Sequence, residues 1–196
     1  RIARVSDPHV RQLLERVTRD HEQKLRSWPA AQSLHHAYRG GFLEHILKIA
    51  EVGDFVARAY GANADLVLAG AILHDIGKLQ ELDYELSTSY SRDGRLIGHI
   101  AMGAILVREA ASAIDAFPPL LLTLIEHLVL SHHGCLEFGS PVLPQTVEAF
   151  ILSFADDVDA KINMVRQSIR DDTGEGEFTA YHNRLQRVLW KGTPAD

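Results

Sequence analysis

Apolar residues recur at helical spacing along most of this 196-residue chain. Asp7-Pro8 reads as an N-cap followed by proline at the first helical position. Val10, Leu13, Leu14, Val17 and Leu25 then share one face, which predicts a helix over residues 8–27. Gly40-Gly41 interrupts the pattern. Phe42, Ile46, Ile49, Ala50 and Val56 predict a second helix ending at Gly61. Asn63 caps a third, carried by Leu66, Val67, Ala71 and Ile72 to His74 and stopped at Gly77. Over residues 80–97 the period changes. Leu82, Tyr84 and Leu86 alternate with polar residues, and Arg92-Asp93-Gly94-Arg95 is a turn signal, so a small β-hairpin is predicted there. Further helices are predicted over 98–113, from Pro118-Pro119 to His132, and over 145–170. Residues 134–144 form a glycine- and proline-rich loop, Asp171-Asp172-Thr173-Gly174 a turn, and 178–190 a last amphipathic helix. No repeat, low-complexity tract or linker divides the pattern. The expectation is a single all-α domain over residues 1–196, a helical bundle with one hairpin insertion.

Composition narrows the function classes. Aromatic residues are 7% of the chain, and leucine, alanine and isoleucine supply most of the apolar content, which suits helices better than a sandwich of strands. The net charge of -6 advertises no basic face, so tight duplex binding is not expected. A nucleic-acid substrate stays open, because bound metal ions would add local positive charge. The one cysteine, Cys135, permits no intrachain disulfide and fits a reducing cytoplasm. No apolar run approaches the roughly 20 residues of a membrane span. Arg1 to Asp7 lack the apolar stretch of a signal peptide. The chain begins at arginine rather than methionine, as a piece of something longer would.

The unusual number is 11 histidines, eight of them between His35 and His133. Histidine is the commonest metal ligand. Near helix ends and breaks stand His45, His74-Asp75, His99, His132-His133 and Asp156. Adjacent ligands on a helix point about 100° apart, so a bend is needed to bring His74 and Asp75 to one ion. Gly77 is expected to permit it. Lys78 places an ammonium beside the same spot, where it could hold a phosphate oxygen.

His45, then His74-Asp75-Ile76-Gly77-Lys78, then a distant aspartate resembles the HD superfamily of metal-dependent phosphohydrolases. His99 and His132-His133 resemble its dinuclear members. Several strings are similar to the HD domain of bacterial 3′→5′ exoribonucleases of the YhaM type. They are Trp28-Pro29-Ala30-Ala31, His35-His36-Ala37-Tyr38 with Gly40-Gly41, Gly98-His99-Ile100, Leu130-Ser131-His132-His133-Gly134, Gly139-Ser140-Pro141 and Asp156-Asp157-Val158-Asp159-Ala160-Lys161. The resemblance covers about residues 20–165 and implies an HD-domain bundle. Those enzymes usually carry an N-terminal OB-fold that grips single-stranded RNA, and no such segment is read in these 196 residues. The resemblance implies one ion held by His45, His74, Asp75 and Asp156, and a second held by Asp75, His99, His132 and His133, with Asp75 shared. Nitrogen and carboxylate ligands without thiolates suit Mn, Fe, Co, Ni or Zn. Two such ions can activate water and clamp phosphoryl oxygens.

Spacing does not choose among Asp156, Asp157 and Asp159; the family pattern chooses Asp156. Asp159-Lys161 reads as a supporting pair. His36 is read as a phosphate contact or a partner of a ligand, His127 as a buried structural residue, and His9, His21 and His182 as surface residues. Thr88, Tyr90 and Arg92 could overhang the site or be plain loop residues. Asp75 and Lys78 are the expected catalytic pair. The reaction expected is hydrolysis of a phosphoester in a nucleotide or a short single-stranded RNA or DNA, including 3′→5′ exoribonuclease activity. A nucleotidase or cyclic-nucleotide phosphodiesterase would share the metal centre. The absence of Gly-Tyr-Pro after the histidine pair counts against cyclic-di-GMP. A regulatory module that only binds nucleotide would be betrayed by a missing ligand, and none is missing.

Overall fold

A computed structural model describes residues 1–30, 38–84, 88–182 and 184–192. Asp7 opens the first helix through its side chain, which accepts from the amides of His9 and Val10. The expected helix over 8–27 is two: α1, Pro8–Asp20, and α2, Glu22–Ser27. His21 leaves helical geometry at φ -117° and ψ 14°. The break redirects the chain so that α2 packs on α3, Gly41–Tyr60. Gly61, at φ 69°, takes the left-handed conformation that closes α3. Asn63 then caps α4, Ala64–Leu73, by accepting from Asp65 and Leu66 amides.

Helix α4 explains the architecture. Leu66, Val67, Ala69, Gly70, Ala71, Ile72 and Leu73 are all buried, so the helix is apolar on every side and must lie inside the bundle. Helices α1 and α3 flank it, together with two later helices, α8 (Pro119–Ser131) and α9 (Val147–Asp171). The core around it contains Leu13, Leu14, Phe42, Ile49, Ile125, Leu128 and Leu152. The last turn of α4 therefore delivers His74 and Asp75 to the centre of the molecule.

After that turn comes α5, Lys78–Glu81, then the antiparallel pair β1, Leu82–Tyr84, and β2, Thr88–Tyr90, in the register Leu82↔Tyr90. The hairpin is shorter than residues 80–97. Arg92-Asp93-Gly94-Arg95 is not its turn but the start of α6, Arg92–Ile97, because the Ser91 hydroxyl accepts from the Gly94 amide and caps a helix there. Helix α7, His99–Ser112, follows, packed on α8.

The expected helix over 178–190 is absent. Thr179 donates its amide to the Leu189 carbonyl, His182 to Arg187 and Lys191 to Glu177, so two extended arms pair around a turn at residues 184–186. Lys191 Nζ lies 2.9 Å from Asp172 Oδ1 and ties the arms to the end of α9. Leu185, in the turn, and Leu189, on the second arm, are both buried, at a spacing that also suits a helix. Pairing between distant residues decided the outcome, and local periodicity does not carry that information. Among the described residues no helix is long and apolar enough to cross a membrane.

Candidate metal centre

The chain leaves α4 through tight turns. Ile76 N–H donates to the Leu73 carbonyl, Lys78 to Asp75 and Leu79 to Ile76, each three residues back. This tightening lets the adjacent His74 and Asp75 serve one interior point. Gly77 is not the flexible joint that the sequence suggests. It sits at an ordinary helical φ of -63° and ψ of -20°. Its role is close approach: a Cβ there would stand 2.0 Å from the His99 carbonyl oxygen and 2.7 Å from Gly103 N. Glycine lets α7 press against the turn and bring His99 to Asp75.

Two groups of donor atoms result. His45 of α3, His74 and Asp156 of α9 form one; His99 of α7 with His132 and His133 at the end of α8 form the other. Asp75 lies between them. Its Oδ2 is 3.6 Å from His45 Nε2 and 3.4 Å from His74 Nε2. Its Oδ1 is 3.4 Å from His99 Nε2 and 3.6 Å from His132 Nε2. Asp156 Oδ1 stands 3.4 Å from His45 Nε2.

Each of the five imidazoles is fixed from behind. His74 Nδ1 donates to the Ala71 carbonyl at 3.1 Å, His132 Nδ1 to Val129 at 2.7 Å, and His133 Nδ1 to Phe138 at 2.7 Å. His45 Nδ1 meets Asp159 Oδ2 at 2.8 Å, and His99 Nδ1 meets Glu81 Oε1 at 3.1 Å. A carbonyl or carboxylate acceptor on Nδ1 takes the Nδ1–H, so each ring, when neutral, offers the lone pair of Nε2 to the interior. Asp75 Oδ1, His99 Nε2 and His132 Nε2 are buried without a hydrogen-bond partner. Buried acceptors converging on one another without a donor are unfavourable unless a cation lies between them. The residues therefore fit divalent metal, and the nitrogen–carboxylate set suits Mn, Fe, Co, Ni or Zn.

Charge agrees with geometry. Burial alone would raise the Asp75 carboxyl, but Lys78 and the surrounding imidazoles hold it well below the usual carboxylate range. Burial would likewise lower His45; its carboxylate neighbours, Asp159 first, outweigh that and lift it to about 9. His132 is pushed down to about 4, chiefly by burial. Lys78 Nζ sits 2.6 Å from Asp75 Oδ2, with its side chain 14% exposed.

All seven expected ligands thus meet in one place, with Lys78 beside them. His36 lies outside the described residues. Asp157 turns outward to Lys161 at 2.7 Å, which leaves Asp156 facing the histidines. Asp159 does not support the site through Lys161 but through His45. Glu81 was not singled out from the sequence; no motif marks it, and only its place at the end of α5 brings it to His99. His127 is half-buried rather than buried, its Nε2 accepting from the Gln145 amide. His9, His21 and His182 are likewise half-buried. Arg92 pairs with Asp93, and the Tyr90 ring lies under Arg95.

Comparison with known proteins agrees with this geometry. The HD domain family model matches residues 42–161. The chain is 35% identical over 179 residues to the 3'-5' exoribonuclease YhaM of Bacillus subtilis. It is 34% identical over 179 residues to that of Shouchella clausii. These alignments cover 91% of this chain and 56% of each relative, so the chain spans about half the length of the curated relatives it matches. No solved structure matches it. With the His74-Asp75 doublet inside a matched span that covers most of the chain, the protein belongs to the HD domain family of metal-dependent phosphohydrolases.

Proposed function

We propose that this domain hydrolyses phosphodiester bonds in short single-stranded RNA, releasing nucleotides from the 3′ end, with two divalent ions held at the centre described above. The observation that carries this reading is Asp75, whose two oxygens face two separate histidine groups. His45, His74, Asp75 and Asp156 would hold one ion; Asp75, His99, His132 and His133 would hold the other. Bound there, the ions would supply water of lowered pKa and Lewis acidity toward phosphoryl oxygens. The chain itself supplies the rest. The Nδ1 anchors keep the rings from turning, Asp75 keeps both groups in register, and the Lys78 ammonium beside Asp75 binds a phosphoryl oxygen and offsets charge that builds on it. RNA as substrate is supported by the names of the similar proteins.

A second reading is a nucleotidase or cyclic-nucleotide phosphodiesterase. The net charge of -6 favours it, because a small substrate needs no basic groove. One experiment separates them. Metal-loaded protein is assayed on short RNA, short DNA and a panel of nucleotides across salt concentrations. A 3′-terminal product ladder on RNA with a strong salt slope supports the first reading; turnover of nucleotides alone, indifferent to salt, supports the second. Retained activity in Asp75→Ala would refute both.

A further inference from the structure

Glu81 closes α5 with its side chain buried, 8% exposed overall. One carboxylate oxygen, Oε1, accepts twice from the same residue: from the His99 amide at 2.9 Å and from His99 Nδ1 at 3.1 Å. The amide is one that the first turn of α7 leaves without a helical partner. The ring bond aims His99 Nε2 at Asp75 Oδ1. Among the described residues, the other two histidines of that group rest on carbonyls, those of Val129 and Phe138. Glu81 is thus the one carboxylate seen on an Nδ1 of the second group.

Glu81 is itself gripped by the hairpin insertion. Its carbonyl accepts from the Ser91 amide at 2.9 Å, and the Ser91 hydroxyl donates to the neighbouring Gln80 carbonyl at 2.9 Å. Gly94 of α6 lies against its backbone so closely that a Cβ would stand 2.3 Å from Glu81 O. Leu82↔Tyr90 registers the strands that join the two pieces. The first group has a separate support: Asp159 holds His45 Nδ1, and Asn163 Nδ2 donates to Asp159 Oδ1 at 3.0 Å. These two supports sit on different elements, α5 and α9.

We propose that Glu81, clamped by the hairpin and α6, is the positioning residue that decides whether the second divalent ion is held, while Asp159 does the same for the first. A carboxylate on Nδ1 fixes the ring and raises the basicity of Nε2 toward a cation. The second group draws on three imidazoles and one shared carboxylate, so a misdirected His99 removes a large part of its donor set. The insertion is then a device for a two-ion centre rather than an ornament on a one-ion bundle. This inference rests on the two-ion reading above.

The test is metal content and titration of the full chain with Mn2+, read by elemental analysis after desalting and by the exchange-coupled spin signal of a manganese pair. Wild type should hold two ions and show the coupled signal. Glu81→Gln should bind the second ion about 10–100-fold more weakly, lose the coupled signal and keep a mononuclear one. Asp159→Asn should lose the first ion instead. Gly94→Ala, which removes no polar group, should follow Glu81→Gln by displacing the Glu81 backbone. It also carries the test, with Glu81→Asp as the conservative variant, if Glu81→Gln does not fold. Two ions bound with wild-type affinity in Glu81→Gln and Gly94→Ala, parallel loss of both ions, or a wild type that never binds more than one would each overturn the proposal. A wild type that binds two ions but cleaves no phosphoester would refute the functional reading and leave this one standing.

Discussion

The ammonium of Lys78 lies 2.6 Å from Asp75 Oδ2, three residues away in sequence. Asp75 is 2% exposed, so the pair joins an enclosed carboxylate to a cation on a side chain that is 14% exposed. Lys78→Met keeps the aliphatic stem and removes the charge. It should lower kcat about 100-fold or more, since a donor to developing phosphoryl charge is lost, while metal content stays at the wild-type level. Elemental analysis beside steady-state kinetics checks both halves. Loss of metal with loss of charge would mean that Lys78 serves to organise Asp75 instead.

Gly77→Ala tests how the site is assembled rather than what it does. The new Cβ, fixed to its own backbone, would meet the His99 backbone carbonyl oxygen at 2.0 Å, so neither partner can rotate away. Helix α7 must move. A loss of about 1–3 kcal/mol or more is expected in urea denaturation, together with weakened metal binding through His99. A near-neutral effect on stability would show that α7 and the turn are less tightly coupled than their spacing indicates.

The expected ligands came from the family resemblance, helped where local chemistry marks a residue. His74 and Asp75 follow the buried apolar helix α4, and His132-His133 follow α8. The choice among Asp156, Asp157 and Asp159 was not legible from spacing, since all three lie on one helix. The fold separates them by face: Asp156 toward His45 Nε2, Asp159 behind its Nδ1, Asp157 outward to Lys161. The break at His21, the use of Gly77 and the arms over 178–190 all depend on what packs or pairs from elsewhere in the chain. Glu81 belongs with them, because its meaning comes only from α7 lying against α5.

Asp156 and Asp157, adjacent on α9, therefore predict different outcomes. Asp157→Asn breaks an exposed pair with Lys161, typically worth less than about 1 kcal/mol, and should leave metal content and activity unchanged. Asp156→Asn should lose the first ion and the activity with it. Equal damage from both variants in a metal assay would refute the assignment by face.

His45 gives the metal-free protein a pH dependence whose sign follows from its surroundings. Its pKa rises from about 6.5 to about 9 on folding, so the charged ring stabilises the fold fully below pH 6.5. That stabilisation is lost as pH climbs through 9. Chelated protein should melt at progressively lower temperature from pH 6.5 to 9, and His45→Gln should flatten the slope. Asp75 works the other way, its contribution vanishing only in strong acid. Scanning calorimetry across this range decides it; a chelated wild type whose melting temperature rises toward pH 9 would contradict the placement of His45 among three carboxylates.

The turn that carries Lys78 is also held from outside the bundle core. Trp28 Nε1 donates to the Lys78 carbonyl at 3.1 Å, and Lys24 Nζ donates to the Leu79 carbonyl at 2.7 Å while lying 4.7 Å over the Trp28 ring. These two carbonyls stand in the short segment between the ligand turn and Glu81. Trp28→Phe keeps an aromatic body and deletes only the donor, leaving the Lys78 carbonyl without that bond. Stability should fall by about 1 kcal/mol. The more telling change is kinetic. Metal content should hold, because the ligands' own anchors are intact, but kcat should drop as Lys78 loses its fixed position. Lys24→Met should do the same more weakly, since it frees the Leu79 carbonyl one residue further on. If Trp28→Phe lowers stability with kcat unchanged, the indole is a packing residue and Lys78 is positioned by Asp75 alone.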